Sequence, residues 1–368
     1  MIDRRLLSEP SSEPPVKVTA SFQANPANLT SSINFAQSSA TVSFFPGEER
    51  MFASSTFVIS LDFELMWGVR DHADVSSYGE NVRGVRVAIP RMLELFEQNG
   101  IRATWATVGF LFCESKDELI ESAPSLRPSY DESRLSNYNF LQEVGKDEHS
   151  DPYYFGASLI DRIRSCPGQE IGSHSFSHYY CLEAGQTLAQ FDADIDAAVA
   201  IARRRGITLK SFVFPRNQYS DQHLDALNRK GFKVFRGNER SWAYRATDSA
   251  GQSRIRRAWR LADHYANLTG HHVHDKSRQG GLVEMAASKF LRPFSSKLGR
   301  LDDLRLNRIT SAMDEAMATK RAFHLWWHPH NFGVNVDENV QFLKLIVAHF
   351  AKHRDRNGMV SANMGDFA

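Results

Sequence analysis

Four short runs in this chain gather side chains that can ligate a metal or move a proton. The first, Ser60-Leu61-Asp62-Phe63-Glu64, holds two carboxylates two residues apart behind an apolar stretch. At the period of a strand, Asp62 and Glu64 point to one side; in isolation, such a pair is more often a helix cap or a solvated loop. The second is Gly172-Ser173-His174-Ser175-Phe176-Ser177-His178. Histidines four apart share one face if the segment turns helical, and that spacing suits zinc, although neutral imidazole also binds copper, iron and nickel. The third is Phe214-Pro215-Arg216-Asn217-Gln218, where Arg216 and Asn217 could orient a carboxylate or meet a substrate, or simply form a Pro-led turn. The fourth runs from His324 through Trp326, Trp327 and His328 to Pro329, His330 and Asn331. A histidine ending that apolar strand can act as a general acid. Pro329 breaks the strand, so His328 is the last residue set by the sheet and His330 is expected on a loop.

The elements that must position these runs alternate between strand-like and helix-like stretches, the pattern of parallel α/β architecture. Strands are expected at 57–62, 101–107, 170–174, 211–214, 232–235, 322–327 and 359–362. Helices are expected from Pro90 to the Asn99-Gly100 stop, over 188–205 and over 338–353. Residues 121–153 read as an inserted loop region, and 240–300 carry no legible period. Repeated βα units suggest a barrel with function at the carboxyl ends of its strands, with a doubly wound parallel sheet as the competing architecture. Residues 1–50 are rich in Ser, Pro, Thr, Asn and Ala and lack the apolar content to offset the entropy of ordering. They are expected to be a disordered extension, with residues 51–368 forming the folded domain and Met51 a plausible natural start.

Composition narrows the function. Lys and Arg number 44 against 43 Asp and Glu, a formal charge of +1, which leaves no basic footprint for nucleic acid. No run approaches the ~18 apolar residues of a membrane helix, and no signal peptide is visible behind Arg4 and Arg5. Cys113, Cys166 and Cys181 form no paired motif, so a disulfide framework is not expected and a cytoplasmic location fits. Two histidine- or arginine-rich runs are set aside. Gly270-His271-His272-Val273-His274 lies in an irregular stretch, and Arg203-Arg204-Arg205 suits the end of a helix.

Taken in order, SLDFE, IRATWATVG, SHSFSH, FVFPRNQ and LWWHPHNFG resemble the motifs of the polysaccharide deacetylase family, the NodB-homology carbohydrate esterases. The resemblance spans roughly Thr56 to Phe367 and implies a distorted (β/α)7 barrel. It also implies one divalent metal, zinc, held by a carboxylate and two histidines, and an N-acylated amino sugar or oligosaccharide as substrate. Carried over, Asp62 is the general base, Glu64, His174 and His178 hold the metal, and His328 is the general acid. Arg216, Asn217, His330 and Trp67 are expected to bind or orient substrate, and Trp67, Trp105, Trp326 and Trp327 could each stack on sugars or pack in the core. Two departures stand out. The acids are separated by Phe63 where the family has them adjacent, so either Asp62 or Glu64 could reach the metal. Val213 also occupies the position of the family's arginine, with Arg216 nearby. Metal-free hydrolysis of other C–N bonds on the same fold, and a silent sugar-binding module, are the competing functions.

Overall fold

The computed structural model describes residues 54–248 and 251–368. The expectations for residues 1–50 and for a start at Met51 lie outside the described residues. The strands are β1 (Thr56–Phe63), β2 (Ala103–Thr107), β3 (Gln169–Ser173), β4 (Ser211–Phe212), β5 (Val234–Phe235), β6 (Ser277–Gln279), β7 (Leu282–Glu284), β8 (Lys289–Phe290), β9 (Ala322–Trp327) and β10 (Val360–Ala362). The helices are α1 (Val75–Asn99), α2 (Lys116–Ser122), α3 (Ala157–Arg164), α4 (Leu188–Arg204), α5 (Asp221–Arg229), α6 (Arg254–Asp263), α7 (Asp302–Thr319) and α8 (Val336–Asn357). None is long and apolar enough to cross a membrane among the described residues.

From β5 the sheet runs β5-β4-β3-β2-β1-β9, parallel throughout. A doubly wound sheet stays open at both edges, whereas here β5 and β9 are joined through one further segment, so that alternative is excluded. One segment bridges the remaining gap. Its start, β7, pairs with β5, and its end, β8, pairs with β9. Between them the Ala287 N–H donates to the Gly237 carbonyl at 2.8 Å and the Ser288 N–H to the His324 carbonyl at 2.9 Å. The result is the distorted (β/α) barrel that the motifs imply, and its closing stave lies in the stretch that carries no legible sequence period.

Both faces of β1 are buried, and alternation divides them. Phe57, Ile59, Leu61 and Phe63 pack outward with the helices, while Val58 joins Ala106, Val213, Val234, Met285 and Ala322 inside the barrel. The same alternation carries Ser60 and Asp62 up the interior, with Glu64 just past the end of β1, while His324 lies on β9 and His328 just past its end. At the opposite end the C-terminal turn closes the barrel. Half-buried Glu170 accepts from Thr104 Oγ1 at 2.6 Å, Ser211 Oγ at 2.8 Å and the Gly365 N–H at 2.8 Å. A Cβ on Gly365 would lie 2.4 Å from that carboxylate, so a side chain there would have to displace Glu170 from these donors.

Two local expectations are corrected. Pro90 does not open α1 but sits inside it. The true start is Asp74, whose side chain caps the Ser77 N–H while Ser77 returns a bond to the Asp74 backbone. The apolar stripe Val82, Val85, Ile89, Met92 and Phe96 was already running before the proline. Residues 174–178 form no helix; Ser175 and His178 take left-handed backbone conformations, with φ of 61° at each.

Candidate metal and acid–base centre

Glu64 is the hub of the barrel mouth. Its Oε2 lies 3.3 Å from His174 Nε2 and 3.0 Å from His178 Nε2, while its Oε1 lies 3.0 Å from His330 Nε2 and 3.7 Å from His328 Nε2. Burial alone would raise the Glu64 pKa. The His328 and His178 imidazoles, with hydrogen bonds from His174 and His178, hold it well below the usual carboxylate range. The donor set suits a divalent metal. Glu64, His174 and His178 offer ligand atoms within 4.8 Å of one another, and all three are buried. His174 Nδ1 lies 2.8 Å from the Val213 carbonyl, which can only accept, so Nδ1 carries a proton and Nε2 is the nitrogen left to face Glu64 and a metal. Glu64 with His328 and His330 forms a second such group that shares the carboxylate.

The histidine pair owes its position to a loop clamp rather than to helical spacing. Asp194 on α4, fully buried, accepts from the Phe176 N–H at 2.7 Å, the Ser177 N–H at 3.2 Å, Ser177 Oγ and Tyr138 Oη at 3.3 Å. Burial pushes its pKa up to about 6 despite those donors. Ser175 Oγ also accepts from the Tyr179 N–H at 2.7 Å, which tightens the turn that brings the two imidazole rings to 5.0 Å. Sequence reading missed Asp194, because a lone acid on an amphipathic helix carries no local signal.

Asp62 faces a partner that sequence reading also missed. Arg236, immediately after β5, donates to Asp62 Oδ1 at 2.6 Å and to Oδ2 at 2.8 Å, with Ser60 Oγ at 3.0 Å and Asn217 Oδ1 at 3.1 Å completing its fork. Below it, His324 Nε2 lies 2.9 Å from Ser60 Oγ. Burial raises the Asp62 pKa, but the Arg236 charge, then His174 and the Arg236 hydrogen bonds, bring it below the ordinary value. Arg236 therefore meets Asp62, whereas Arg216 pairs with Asp71 and, at 3.3 Å, with Glu183. A charged residue at the end of an apolar strand was the available signal.

His328 is about a quarter exposed, at 24%, with Nε2 3.7 Å from Asp62 Oδ2. Burial lowers its pKa against the opposing pull of Glu64 and Asp62. It packs against Trp326 and Phe290, with ring centroids at 5.7 and 5.8 Å. His330, expected on a loop, is instead buried in the 3-10 turn Pro329–Phe332 and holds Glu64 on one side and Tyr78 Oη, at 2.8 Å from Nδ1, on the other. Two glycines permit this. A Cβ on Gly84 would sit 1.8 Å from the Gly333 carbonyl oxygen, and one on Gly333 would sit 1.7 Å from the Asn81 carbonyl oxygen. Only bare backbone lets α1 press this close.

The remaining expectations divide. Trp326 lines a cavity of about 360 Å³ with His328, Arg216 and Asn217. Trp67 does not reach substrate space. It is 1% exposed, donates from Nε1 to the Tyr154 carbonyl at 2.8 Å and meets Phe110 edge-on, because the turn after β1 folds it outward into the helical layer. Trp105 and Trp327 are likewise core. Of the histidine-rich run, His274 is buried with its backbone bridged to Ala322, and His272 Nε2 lies 2.7 Å from Thr269 Oγ1. None of the run joins a metal-type group among the described residues.

The fold and site define a carboxylate–histidine centre at the carboxyl mouth of a distorted (β/α) barrel. Residues 82–235 match the family model described as polysaccharide deacetylase, which bears out the resemblance drawn from the motifs, and that family is one of hydrolases. His174, His178, Arg216 and Asn217 fall within the matched stretch, whereas Asp62, Glu64 and His328 fall outside it. A search of the curated proteins finds no match. Among solved structures, a protein assigned as a polysaccharide deacetylase from Mycobacterium smegmatis superposes with a TM-score of 0.54 at 12% identity, over 85% of this chain and 88% of that one. A CE4 family pseudoenzyme from Bacillus anthracis gives 0.41 at 10% identity, over 86% and 66%. An allantoinase gives 0.48 at 11% identity, over 83% and 86%.

Proposed function

We propose that this chain is a metal-dependent hydrolase that removes the N-acetyl, or another N-acyl, group from an amino sugar in a glycan or glycan precursor. The observation that carries the proposal is the convergence of Glu64, His174 and His178 beside Asp62 and His328 at the barrel mouth, with His328 also lining the adjoining cavity. Glu64, His174 and His178 would hold the metal. When bound, such an ion polarises an acyl carbonyl and makes water more acidic.

The chain's own residues supply the rest. Asp62 stays ionised at neutral pH, and Arg236 fixes its plane, so it is placed to accept the proton of the attacking water. His328 faces the cavity beside Asp62, where its Nε2 is placed to hand a proton to the leaving nitrogen. Trp326 and Phe290 offer an apolar wall for a sugar ring. Free, buried Cys113, Cys166 and Cys181 fit a reducing compartment, in line with a cytoplasmic site of action.

Acetate release from a panel of N-acetylated sugars, with and without chelator, tests this reading. Release that stops with chelator and returns with zinc is the expected result. Chelator-insensitive turnover would sink the metal role, and full metal occupancy in a His174→Ala, His178→Ala variant would sink the ligand assignment. Metal content should be measured in a His349→Ala background, because Asp314, His349 and His353 form a separate surface trio that could also take up zinc.

A further inference from the structure

The cavity beside His328 is far more cationic than a neutral sugar requires. Arg216, Arg245, Arg257, Arg260 and Arg292 line it, against one carboxylate, Glu239. Glu239 is itself engaged, accepting from Trp326 Nε1 at 3.2 Å. Arg216 has its own acids in Asp71 and Glu183. The other four arginines enter no ion pair among the described residues. Arg257 and Arg260 instead donate to neutral oxygens of Gln252, its carbonyl at 3.3 Å and its Oε1 at 2.8 Å. Like charges gathered around a concave wall repel one another, and the field they focus attracts an anion.

A second cavity, of about 440 Å³, adjoins the first through the shared residues Arg216, Gln252, Arg257 and Arg260. Its other lining residues are Asp71, His72, Arg134, Gln218, Thr247 and Asp248, with no apolar side chain among them. The first cavity therefore offers an aromatic wall beside His328, the junction offers guanidinium forks, and the second cavity is lined by polar and charged residues alone.

Resting on the deacylase reading, we propose that the substrate is a phosphorylated N-acyl amino sugar whose phosphate sits at the Arg257–Arg260 junction. The sugar then lies against Trp326 beside His328, and a polar group beyond the phosphate, as in a nucleoside diphosphate sugar, occupies the second cavity. Guanidinium forks match phosphate oxygens in pairs and bind them through charge-assisted bonds. The polar lining disfavours a prenyl chain in that position, because its apolar surface would stay in contact with polar groups and water.

Calorimetry on chelator-treated protein tests the proposal without turnover, and removal of metal prevents phosphate from binding through an ion. The probes are N-acetylglucosamine, N-acetylglucosamine 1-phosphate, UDP-N-acetylglucosamine and farnesyl phosphate. The phosphorylated sugars are expected to bind about tenfold or more tightly than the neutral sugar, with an advantage that shrinks as salt rises. UDP-N-acetylglucosamine should bind at least as well as the 1-phosphate. Arg257→Ala, at an exposed side chain where the fold is not at risk, and Arg257→Ala with Arg260→Ala should remove most of that advantage. Equal binding of neutral and phosphorylated sugars, an advantage unchanged in the arginine variants, or preference for farnesyl phosphate would overturn it. Phosphate-dependent binding without any deacylation would leave this site standing and count against the deacylase reading alone.

Discussion

Asp194→Asn separates the loop clamp from the chemistry it supports. Burial raises the Asp194 pKa from 3.8 to about 6, so the native state holds this proton more tightly than the unfolded chain does. Its contribution to stability is therefore greatest below about pH 4, is lost as pH rises from 4 to 6, and is level above that. At 1.4 kcal/mol for each pH unit, the difference between 3.8 and 6 amounts to about 3 kcal/mol. Asparagine cannot titrate, so the penalty of the substitution measured at pH 4, where most of that difference is present, should shrink by about 2 kcal/mol at pH 7. Urea denaturation of both proteins at pH 4, 5, 6 and 7 measures this, and comparing them cancels the other carboxylates. Asp194→Ala is a harsher change. It strands the Phe176 and Ser177 N–H groups, at about 1–3 kcal/mol each. Metal affinity should also fall ~10–100-fold in both variants, since the strained turn at Ser175 and His178 loses its anchor. Parallel pH profiles for wild type and Asp194→Asn would refute the reasoning, as would unchanged metal affinity in Asp194→Ala.

His328→Ala should lower kcat by ~10²–10⁴ with metal content unchanged. His330→Ala removes a contact to Glu64 and should instead weaken metal binding ~10-fold or more. The opposite pattern in paired kinetics and metal analysis would exchange their roles. Arg236→Met should cost about 3–5 kcal/mol, because it leaves Asp62 buried and unpaired. The Asp62→Asn, Arg236→Met double variant should recover much of that loss, so simple additivity in the cycle would show that the pair is not coupled. Trp326→Ala should raise KM with little change in Tm, whereas Trp67→Ala should lower stability by about 3–5 kcal/mol. Equal effects of the two on KM would contradict their placement.

The sequence by itself marked the strand ends at which Asp62, Glu64, His174, His178 and His328 gather as candidates, because strand alternation and the abrupt end of an apolar run are local properties; the roles proposed for them came from the family resemblance. Thr56–Phe63 and Ala322–Trp327 fall where their patterns place them, within a residue or two. Only the tertiary structure decided the rest. Arg236 reaches Asp62 across 174 positions of chain, and Tyr78 reaches His330 across 252. Contacts at such separations follow from barrel closure and leave no periodic trace. The closing stave itself, Leu282–Leu291, reads as irregular because it pairs briefly with two different neighbours instead of running long beside one. Trp67 looked available for a sugar because composition cannot tell an inward aromatic side chain from an outward one. That choice was made by the backbone turn at Leu65, with a φ of 48° just after Glu64, which keeps the carboxylate in the mouth and sends the indole into the core.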